Sequence, residues 1–337
     1  METHVKEISE RLVRKGIEIN VLTTDPSGEL VKEEVINNVL IKRFKSWAPN
    51  EAYFFSKDLR YYLKRFSDTF DVVHAHSYHA FPAYYAALGK GTNKLIFTAH
   101  YHGTGHTFFR KILLGPYRFL GKKIFEKADR VICVSNYERK LVTKHFKIEE
   151  DKIILVPNGF NLEEFKYLKK KTAQRIILYV GRLEKYKGVH HLIKAMPKLD
   201  PDIVLEIVGK GPYRNNLIKM ASKLGLERRV RFLHDLSREE LLQKYAEADL
   251  FALLSQHEAY GICVGEALAS GTPCIVANTS ALTEWIDNQN CFGIEQPINS
   301  DELASSISRT IGRSVKDVKL PDWNETADKL AKLYECT

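Results

Sequence analysis

Hydrophobic residues along this chain occur in short apolar runs, and stretches with helical periodicity separate most of these runs. The opening segment, residues 3–15, places Val5, Ile8 and Leu12 on one face of a helix, and Gly16 ends that helix. The apolar runs after it predict strands over Glu18–Leu22, Val39–Phe44, Val72–Ala75, Leu95–Ala99, Arg130–Val134 and Ile153–Val156. Strands that alternate with helices predict a parallel sheet covered on both faces.

The alternation restarts after Lys166–Gln174, a polar and basic segment without periodicity that predicts a linker. The strands predicted beyond it are Arg175–Val180, Ile203–Val208, Val230–Leu233, Leu250–Leu254 and Pro273–Ala277. We therefore expect an α/β chain of two doubly wound domains, residues 1–168 and 172–321. Ligands of such sheets bind beyond the carboxyl ends of the strands, so the cleft between the two domains is the expected site.

The first half begins with a helix. A doubly wound domain ordinarily begins instead with a strand that lies near the centre of its sheet. Two explanations are open at this point. Either the true start lies upstream of Met1, or the first sheet has a gap. We expect the first domain to lack its N-terminal strand.

The composition is that of an ordinary globular protein, with 337 residues, 44% of them hydrophobic and 28% charged, which excludes disorder and collagen. No apolar run approaches the roughly 18 residues of a membrane span. The opening residues are charged and periodic, unlike a secretory signal. The five cysteines are scattered without a CxxC pair. Reduced thiols and a cytoplasmic location are therefore expected.

The net charge of +9 is concentrated in the first half, because residues 1–171 carry 30 Lys and Arg against 20 Asp and Glu. In Lys57–Phe66 and Phe108–Lys123 basic residues alternate with aromatic ones, a pattern that suits contact with an anionic membrane. The same charges could face nucleic acid, but no recognised nucleic-acid module is present, so no such partner is expected. A solvated basic face without a partner stays an alternative.

The segment Ser255–Ala277 carries the first candidate site. Gly261 lies at the start of a predicted helix, whose N–H groups and dipole favour a phosphate group. Glu258 precedes that helix and Glu266 lies within it, and a carboxylate can accept two hydrogen bonds from a vicinal diol. The alternative is a turn glycine beside a solvated helix glutamate.

A second candidate site follows the strand that ends at Val180. Gly181, Arg182 and Lys187 come directly after it, and two cations there could neutralise a diphosphate. Taken alone, the segment could equally be a solvated basic loop. Two loops suited to phosphate in one domain, both at strand carboxyl ends, favour a site for a nucleoside diphosphate.

Histidines follow two strands of the first half. His100 and His102 come just after Leu95–Ala99, with His106 near them, and His76 ends Val72–Ala75. Three histidines so close could bind a metal, but no carboxylate or cysteine accompanies them at ligand spacing. Asp200-Pro201-Asp202 resembles a metal-binding DxD but lies at the wrong end of its strand and has the composition of a turn. We therefore expect neither a metal nor a cofactor.

These motifs together resemble the retaining glycosyltransferases of family GT4, which have the GT-B fold of two Rossmann-like domains. The similar elements, in chain order, are Asp71–Ser77, Phe97–His106, Ala128–Ser135, Val156–Phe160, Gly181–Gly188, Val208–Pro212, Glu258 with Glu266, and Trp323–Glu335. The resemblance covers nearly the whole chain. It implies that the last helix, 322–337, packs back onto the first domain.

The resemblance also implies roles for single residues. It assigns Glu266 to the ribose of a nucleoside-diphosphate (UDP- or GDP-linked) sugar, Glu258 to the transferred sugar, and Arg182 with Lys187 to the leaving phosphate. His100 would lie near the anomeric carbon. The remaining donor-site residues that it implies are Gly181, Gly209, Tyr260, Gly261, Ile262 and Cys263, and the acceptor-side candidates are His76 and His102.

The predicted activity is therefore metal-independent transfer of a hexose, with retention, to a glycan or lipid-linked acceptor. Relatives begin with a strand and a Gly-Gly loop, whereas this chain begins at the helix after them. The alternative is accordingly a non-catalytic or impaired protein that binds nucleotide sugars. A hydrolase or epimerase of the same fold would need an acid–base pair of its own, which the sequence does not display.

Overall fold

The computed structural model describes residues 2–49, 53–103, 120–168 and 173–335. The chain divides into two compact units, one of Met1–Gly159 with Pro321–Thr337 and the other of Phe160–Leu320. The division precedes the linker predicted over Lys166–Gln174. It does so because Phe160 belongs to the packing of the second unit, where its ring occupies the space that a side chain on Gly265 would need.

The described elements agree with most of the predicted ones to within a few residues. The strands are β1 Asn20–Asp25, β2 Glu33–Ile36, β3 Val39–Lys45, β4 Val72–His76, β5 Lys94–Thr98, β6 Arg130–Cys133, β7 Ile153–Leu155, β8 Ile176–Val180, β9 Val204–Val208, β10 Val230–Leu233, β11 Leu250–Leu253, β12 Cys274–Ala277 and β13 Cys291–Ile294. The helices are α1 Glu2–Arg14, α2 Lys57–Phe66, α3 Phe81–Gly89, α4 Asn136–Phe146, α5 Val189–Ala195, α6 Arg214–Lys223, α7 Arg238–Glu247, α8 Ile262–Ala269, α9 Ser300–Thr310 and α10 Trp323–Glu335. Residues 120–127 are also helical. The elements that the sequence pattern missed are β2, β13 and α9.

The strands of the first unit form two separate sheets. One has the order β1-β3-β2, in which β2 is antiparallel to β3, and the other is the parallel sheet β4-β5-β6-β7. Among the described residues β1 and β4 are therefore both end strands. No strand of the described residues joins β1 to β4.

Helices α1 and α10 pack together on the parallel sheet of the first unit. Leu12 and Leu330 are buried in one apolar cluster with Ile96 of β5 and Ile132 of β6. The Arg11 Nε donates a hydrogen bond to the Asn324 Oδ1 at 3.1 Å, which joins the two helices at their polar margin. Burial of the apolar faces of both helices holds the last helix of the chain in this unit.

The second unit contains one six-stranded parallel sheet in the order β10-β9-β8-β11-β12-β13. Its core is apolar, and Leu178, Leu205, Phe251 and Ile275 are fully buried in it. From β8 the chain proceeds to β9 and β10 on one side, then returns to β11 on the other. The order reverses between β8 and β11, which is where sheets of this kind bind ligands.

The Asp-Pro-Asp segment is a turn at the amino end of β9, as its composition predicted. The Asp202 N–H donates to the Asp200 Oδ1 at 3.2 Å, and the Arg175 side chain lies 2.9 Å from the other carboxylate oxygen of Asp200. None of the helices in the described ranges is both long and apolar enough to cross a membrane.

Candidate functional site

The loops that leave β8 and β11 lie side by side at the point where the strand order reverses. The first runs from Gly181 to Gly188 and the second from Ser255 to Gly261. The Gln256 N–H donates a hydrogen bond to the Tyr186 carbonyl at 2.9 Å and joins them directly. Sequence-predicted residues from both loops are thus brought to one place.

Two glycines allow the loops after β8 and β9 to run against each other. A side chain on Gly209 would lie 2.0 Å from the Gly181 carbonyl oxygen, so Gly209 has no room for one, and a side chain on Gly181 would crowd the Tyr179 hydroxyl at 3.0 Å. The Gly181 N–H donates to the Val208 carbonyl at 3.0 Å, and the Leu183 N–H donates to the Lys210 carbonyl at 2.8 Å. Gly181 and Gly209 therefore fix the shape of the site, and their contact with a donor stays a prediction.

Lys187 and Glu258, one from each loop, form an ion pair. The Lys187 Nζ lies 2.6 Å from the Glu258 Oε1, and each side chain is only 15% exposed. Burial by itself lowers the pKa of Lys187, but the charge of Glu258 outweighs it and raises the pKa above its usual value. The ammonium is therefore permanently charged, and a carboxylate holds it in place.

The Glu258 loop is fixed by residues that the sequence did not single out. The Ser280 Oγ accepts a hydrogen bond from the Glu258 N–H at 3.1 Å, and the Trp285 Nε1 donates to the Tyr260 carbonyl at 2.6 Å. Both lie in the segment after β12, which the strand pattern presented only as a connection. The loop that carries Glu258 is accordingly held at two points by that segment.

Helix α8 begins directly after this loop. Gly261 adopts a φ of +90°, in the left-handed region that favours glycine, and turns the chain into the helix. Ile262 and Cys263 follow as the first helical residues, whose N–H groups have no acceptor within an α-helix. Burial raises the pKa of the Cys263 thiol, so it stays protonated and is not a nucleophile.

Glu266 on α8 is held by two donors from α7. The Arg238 Nη1 lies 2.5 Å from one carboxylate oxygen of Glu266, and the Tyr245 hydroxyl donates to the other at 2.9 Å. Arg238 also contacts the Glu164 Oε2 at 2.9 Å. Sequence reasoning missed Arg238, because an arginine in the first turn of a helix resembles any solvated one. Together the donors fix the direction in which the Glu266 carboxylate points.

Arg182 is the least enclosed of the predicted phosphate contacts. Its side chain is 47% exposed, and its Nε lies 3.3 Å from the Glu184 Oε1. Its backbone is fixed, since the Tyr179 hydroxyl donates to the Arg182 carbonyl at 2.9 Å. Of the two cations, Lys187 is therefore the more enclosed and the more firmly held in one position.

Of the predicted histidines of the first unit, His76 and His100 lie next to each other, whereas His102 lies against another residue. His76 ends β4 and His100 follows β5, and their ring centroids lie 6.1 Å apart. His4 of α1 packs against both, at 5.3 Å and 5.2 Å. His102 instead stacks on His79 at 4.7 Å. His106 lies outside the described residues.

His4 is buried and His76 and His100 are half-buried, and all three are uncharged near neutral pH. Burial lowers the pKa of His4 to about 4, although its hydrogen bond to Asn158 opposes the effect. Burial also lowers the pKa values of His76 and His100 well below the usual range. Sequence reasoning missed His4, because its helix was interpreted only as an amphipathic element.

Two family profiles match this chain and together span most of it. The profile described as "Glycosyl transferases group 1" matches residues 160–330, and that described as "Glycosyltransferase Family 4" matches residues 1–164. The two matches follow the division into units closely.

Individual relatives agree with the profiles. An uncharacterized glycosyltransferase of Methanocaldococcus jannaschii is 27% identical, with 98% of this chain and 93% of that protein covered. A D-inositol 3-phosphate glycosyltransferase of Corynebacterium glutamicum is 26% identical, with 99% and 91% covered.

Solved structures show the same fold. A sucrose-phosphate synthase from Thermosynechococcus elongatus has a TM-score of 0.81 at 21% identity, covering 99% of this chain and 92% of that one. Anabaena HepE in complex with UDP and glucose has a TM-score of 0.74 at 18% identity, covering 95% and 100%. The expected GT-B class of two Rossmann-like units is therefore confirmed.

Proposed function

This chain belongs to the glycosyl transferases group 1 family, and we propose that it moves a hexose from a nucleoside-diphosphate sugar to a glycan or a lipid-linked acceptor. We propose further that the transfer retains the anomeric configuration and needs no metal ion. The matching structure that contains UDP and glucose supports this donor class, because a donor of that kind carries a diphosphate, a ribose and a hexose.

The observation that supports the proposal best is the largely buried ion pair of Lys187 and Glu258 beside the start of α8. Negative charge builds on the leaving diphosphate as the glycosidic bond breaks. A fixed ammonium and the first N–H groups of a helix stabilise that charge where it develops. Lys187 with the N–H groups of Ile262 and Cys263 would fill this role, and Arg182 would add a second cation.

Glu258 and Glu266 would recognise the neutral parts of the donor. The Glu258 Oε1 is engaged by Lys187, so its second oxygen is the one proposed to accept hydroxyls of the transferred sugar. Glu266 is proposed to accept the ribose hydroxyls, with Arg238 and Tyr245 holding its carboxylate in direction. Gly181, Gly209, Tyr260 and Gly261 would shape the pocket around the diphosphate.

Roles in the first unit rest on the family resemblance. His100 is proposed to act near the anomeric carbon, and His76 and His102 on the acceptor side. Their positions after β4 and β5 support this, because ligands bind at the carboxyl ends of parallel strands. The uncharged state of His100 suits a hydrogen bond to a sugar hydroxyl.

The broken sheet of the first unit favours a second candidate function. Because β1 and β4 belong to separate sheets, that unit lacks a strand bridging them within the described residues. A chain with an intact second unit and a weakened first unit would bind a nucleotide sugar and transfer it slowly or not at all. The alternative is thus a protein that binds the donor without turnover.

We also propose a peripheral contact between the first unit and an anionic membrane, with the protein on the cytoplasmic side. Large apolar side chains are exposed around β2, namely Leu30, Val31 and Val35. Helix α2 adds an exposed Tyr61 among basic residues. Most of Phe108–Lys123, the second basic and aromatic segment, lies outside the described residues. Binding to anionic but not neutral vesicles at low salt would support the contact, and absence of binding to either would exclude it.

The central experiment measures donor binding and turnover together. The protein is mixed with UDP-, GDP- and ADP-linked hexoses, and the unfolding midpoint and the release of free nucleoside diphosphate are recorded. A donor that binds the folded state raises the midpoint. Binding with slow release of the diphosphate supports the transferase, since water can take the place of the absent acceptor. Binding without release favours the non-catalytic alternative, and no binding of any donor contradicts both.

A further inference from the structure

Three histidines of the first unit come from three separate elements and converge on one point. His4 lies in α1, His76 at the end of β4 and His100 after β5. Each offers one ring nitrogen, and those three nitrogens lie within 4.8 Å of one another. In the described ranges no other group of three His, Cys, Asp or Glu side chains is so close.

The hydrogen bonds of these rings leave nitrogen atoms available. The His4 Nδ1 lies 2.8 Å from the Asn158 Oδ1, an oxygen that only accepts, so Nδ1 carries the proton and Nε2 keeps its lone pair. The His76 Nδ1 and the His100 Nε2 are buried and have no hydrogen-bond partner among the described residues. Orphaned buried nitrogens are costly, and a ligand would explain them.

A fourth histidine beside this cluster, His74, has hydrogen-bond partners for both of its ring nitrogens. The His74 Nδ1 is hydrogen-bonded to the Tyr334 hydroxyl at 2.7 Å and its Nε2 to the Thr98 Oγ1 at 2.7 Å. Its ring is tilted against that of His76, with the two centroids 4.2 Å apart. Both ring nitrogens of His74 therefore have hydrogen-bond partners, and its ring lines one side of the cluster. Each of the other three rings keeps at least one nitrogen available.

We propose that His4, His76 and His100 bind one Zn²⁺ ion, with Asn158 orienting His4 from behind. Metal-bound histidines commonly donate their other ring N–H to a carbonyl oxygen, which is the arrangement of His4 with Asn158. Imidazole ligands select zinc and similar late first-row ions over magnesium or calcium. Three histidines with no thiolate or carboxylate in the cluster leave the fourth position to water.

The geometry needs only a small adjustment. Zinc bonds of about 2.0–2.1 Å in a tetrahedron place the nitrogen ligands roughly 3.4 Å apart. Side-chain rotation that closes the widest spacing by up to about 1.4 Å would complete the site. The ion takes no part in the transfer step proposed above. Since it would occupy His100, a bound ion would slow any transfer that uses that ring.

The test uses the full chain without a histidine tag, stripped of metal and titrated with Zn²⁺ against a chromophoric chelator. We expect one ion per chain. The variants His4→Gln, His76→Gln and His100→Gln should each lose at least about 100-fold in affinity, and Asn158→Ala about 10- to 100-fold. His234→Gln is the matched control, because His234 is exposed on the second unit and should leave affinity unchanged.

A measurement on the wild-type protein tests the proposal even if the histidine variants fail to fold. X-ray absorption of the Zn²⁺-loaded wild-type protein should show imidazole scattering and no sulfur. Sulfur ligation, wild-type affinity in the three histidine variants, or failure of the wild type to bind one ion per chain would each overturn the proposal. These readouts are metal content and spectra, so the outcome is separate from that of the donor experiment.

Discussion

The Lys187 ammonium lies 2.6 Å from the Glu258 carboxylate, and both side chains are largely buried. One residue is proposed to contact phosphate and the other the sugar, yet without a donor they neutralise each other. Removing one partner would leave a buried charge uncompensated, which is strongly destabilising. The pair therefore stabilises the two loops from which it comes.

Substitution at the two members of this pair should separate phosphate from sugar recognition. We expect Lys187→Met to weaken binding of the nucleoside diphosphate itself and to lower the turnover rate by about 10²- to 10³-fold, because it removes a fixed charge at the leaving group. Glu258→Gln should weaken binding of the nucleotide sugar more than binding of the nucleoside diphosphate, because the sugar contact is lost whereas Lys187 only loses its partner. Calorimetric titration with each ligand checks this. Lys185→Met, an exposed lysine of the same loop, is the control. Equal loss of both ligands in Glu258→Gln would contradict the assignment.

The ribose role of Glu266 is testable with the ligand as well as the protein. The wild type should prefer UDP over its 2′,3′-dideoxy analogue, and Glu266→Gln should reduce that preference toward unity, because the charged acceptor is gone. Arg238→Ala should reduce it less, since Tyr245 still holds the carboxylate. Glu239→Gln, an exposed neighbour on α7, is expected to behave as wild type. An unchanged preference in Glu266→Gln would refute the ribose contact.

Gly209 should be intolerant of even one extra methyl group. Gly209→Ala places a carbon 2.0 Å from the Gly181 carbonyl oxygen. We expect a loss of unfolding free energy of about 2 kcal/mol or more, as for other strained or overpacked sites. Gly225→Ala also has a positive φ but open space around it, and should cost only about 1 kcal/mol. Urea unfolding gives the free energy of unfolding of both variants. Equal losses in the two would contradict the close approach of Gly209 to the Gly181 carbonyl.

A buried carboxyl in the first unit should make stability depend on pH. Glu138 accepts N–H hydrogen bonds from Val134 at 2.6 Å and from Tyr101. Burial raises its pKa from 4.5 to about 8, against the effect of these bonds. The folded chain therefore holds a proton that the unfolded chain has already released. The stabilisation is complete below about pH 4.5 and is lost as the pH rises to about 8.

Glu138→Gln removes this titration. In wild type, Glu138 should lower the unfolding free energy by up to about 1.4 kcal/mol per pH unit between pH 5 and 8. Urea unfolding at several pH values gives the difference between wild type and variant, in which other titrating groups cancel. A difference that stays constant over this range would show that Glu138 is ionised in the folded chain.

The fold was largely predictable because most of its strands are continuous runs of apolar residues with distinct ends. Strand β9, Val204–Val208, is buried throughout and was predicted within one residue. Strand β2, Glu33–Ile36, was missed because it is mostly exposed and carries two glutamates, so only its antiparallel partner β3 defines it. Edge strands of this kind depend on a neighbour rather than on their own pattern.

The placement of the candidate residues was predictable where they follow a strand in sequence, and unpredictable where distant elements meet. Glu258 and Glu266 follow a strand in a recognisable spacing. Arg238 reaches Glu266 from 28 positions earlier, and His4 reaches His100 from the far end of the unit's sequence. Contacts of this type follow from tertiary packing, which no local pattern encodes.

The two open rows of backbone groups on Asn20–Asp25 and Val72–His76 have a consequence for handling the protein. Each strand ends its sheet in the part of the chain that the structure describes, so its outer amides and carbonyls can template another extended segment. Refolding from denaturant should therefore be efficient in dilute solution and fail by self-association as concentration rises. The yield of native material should therefore be set by the first unit rather than by the second.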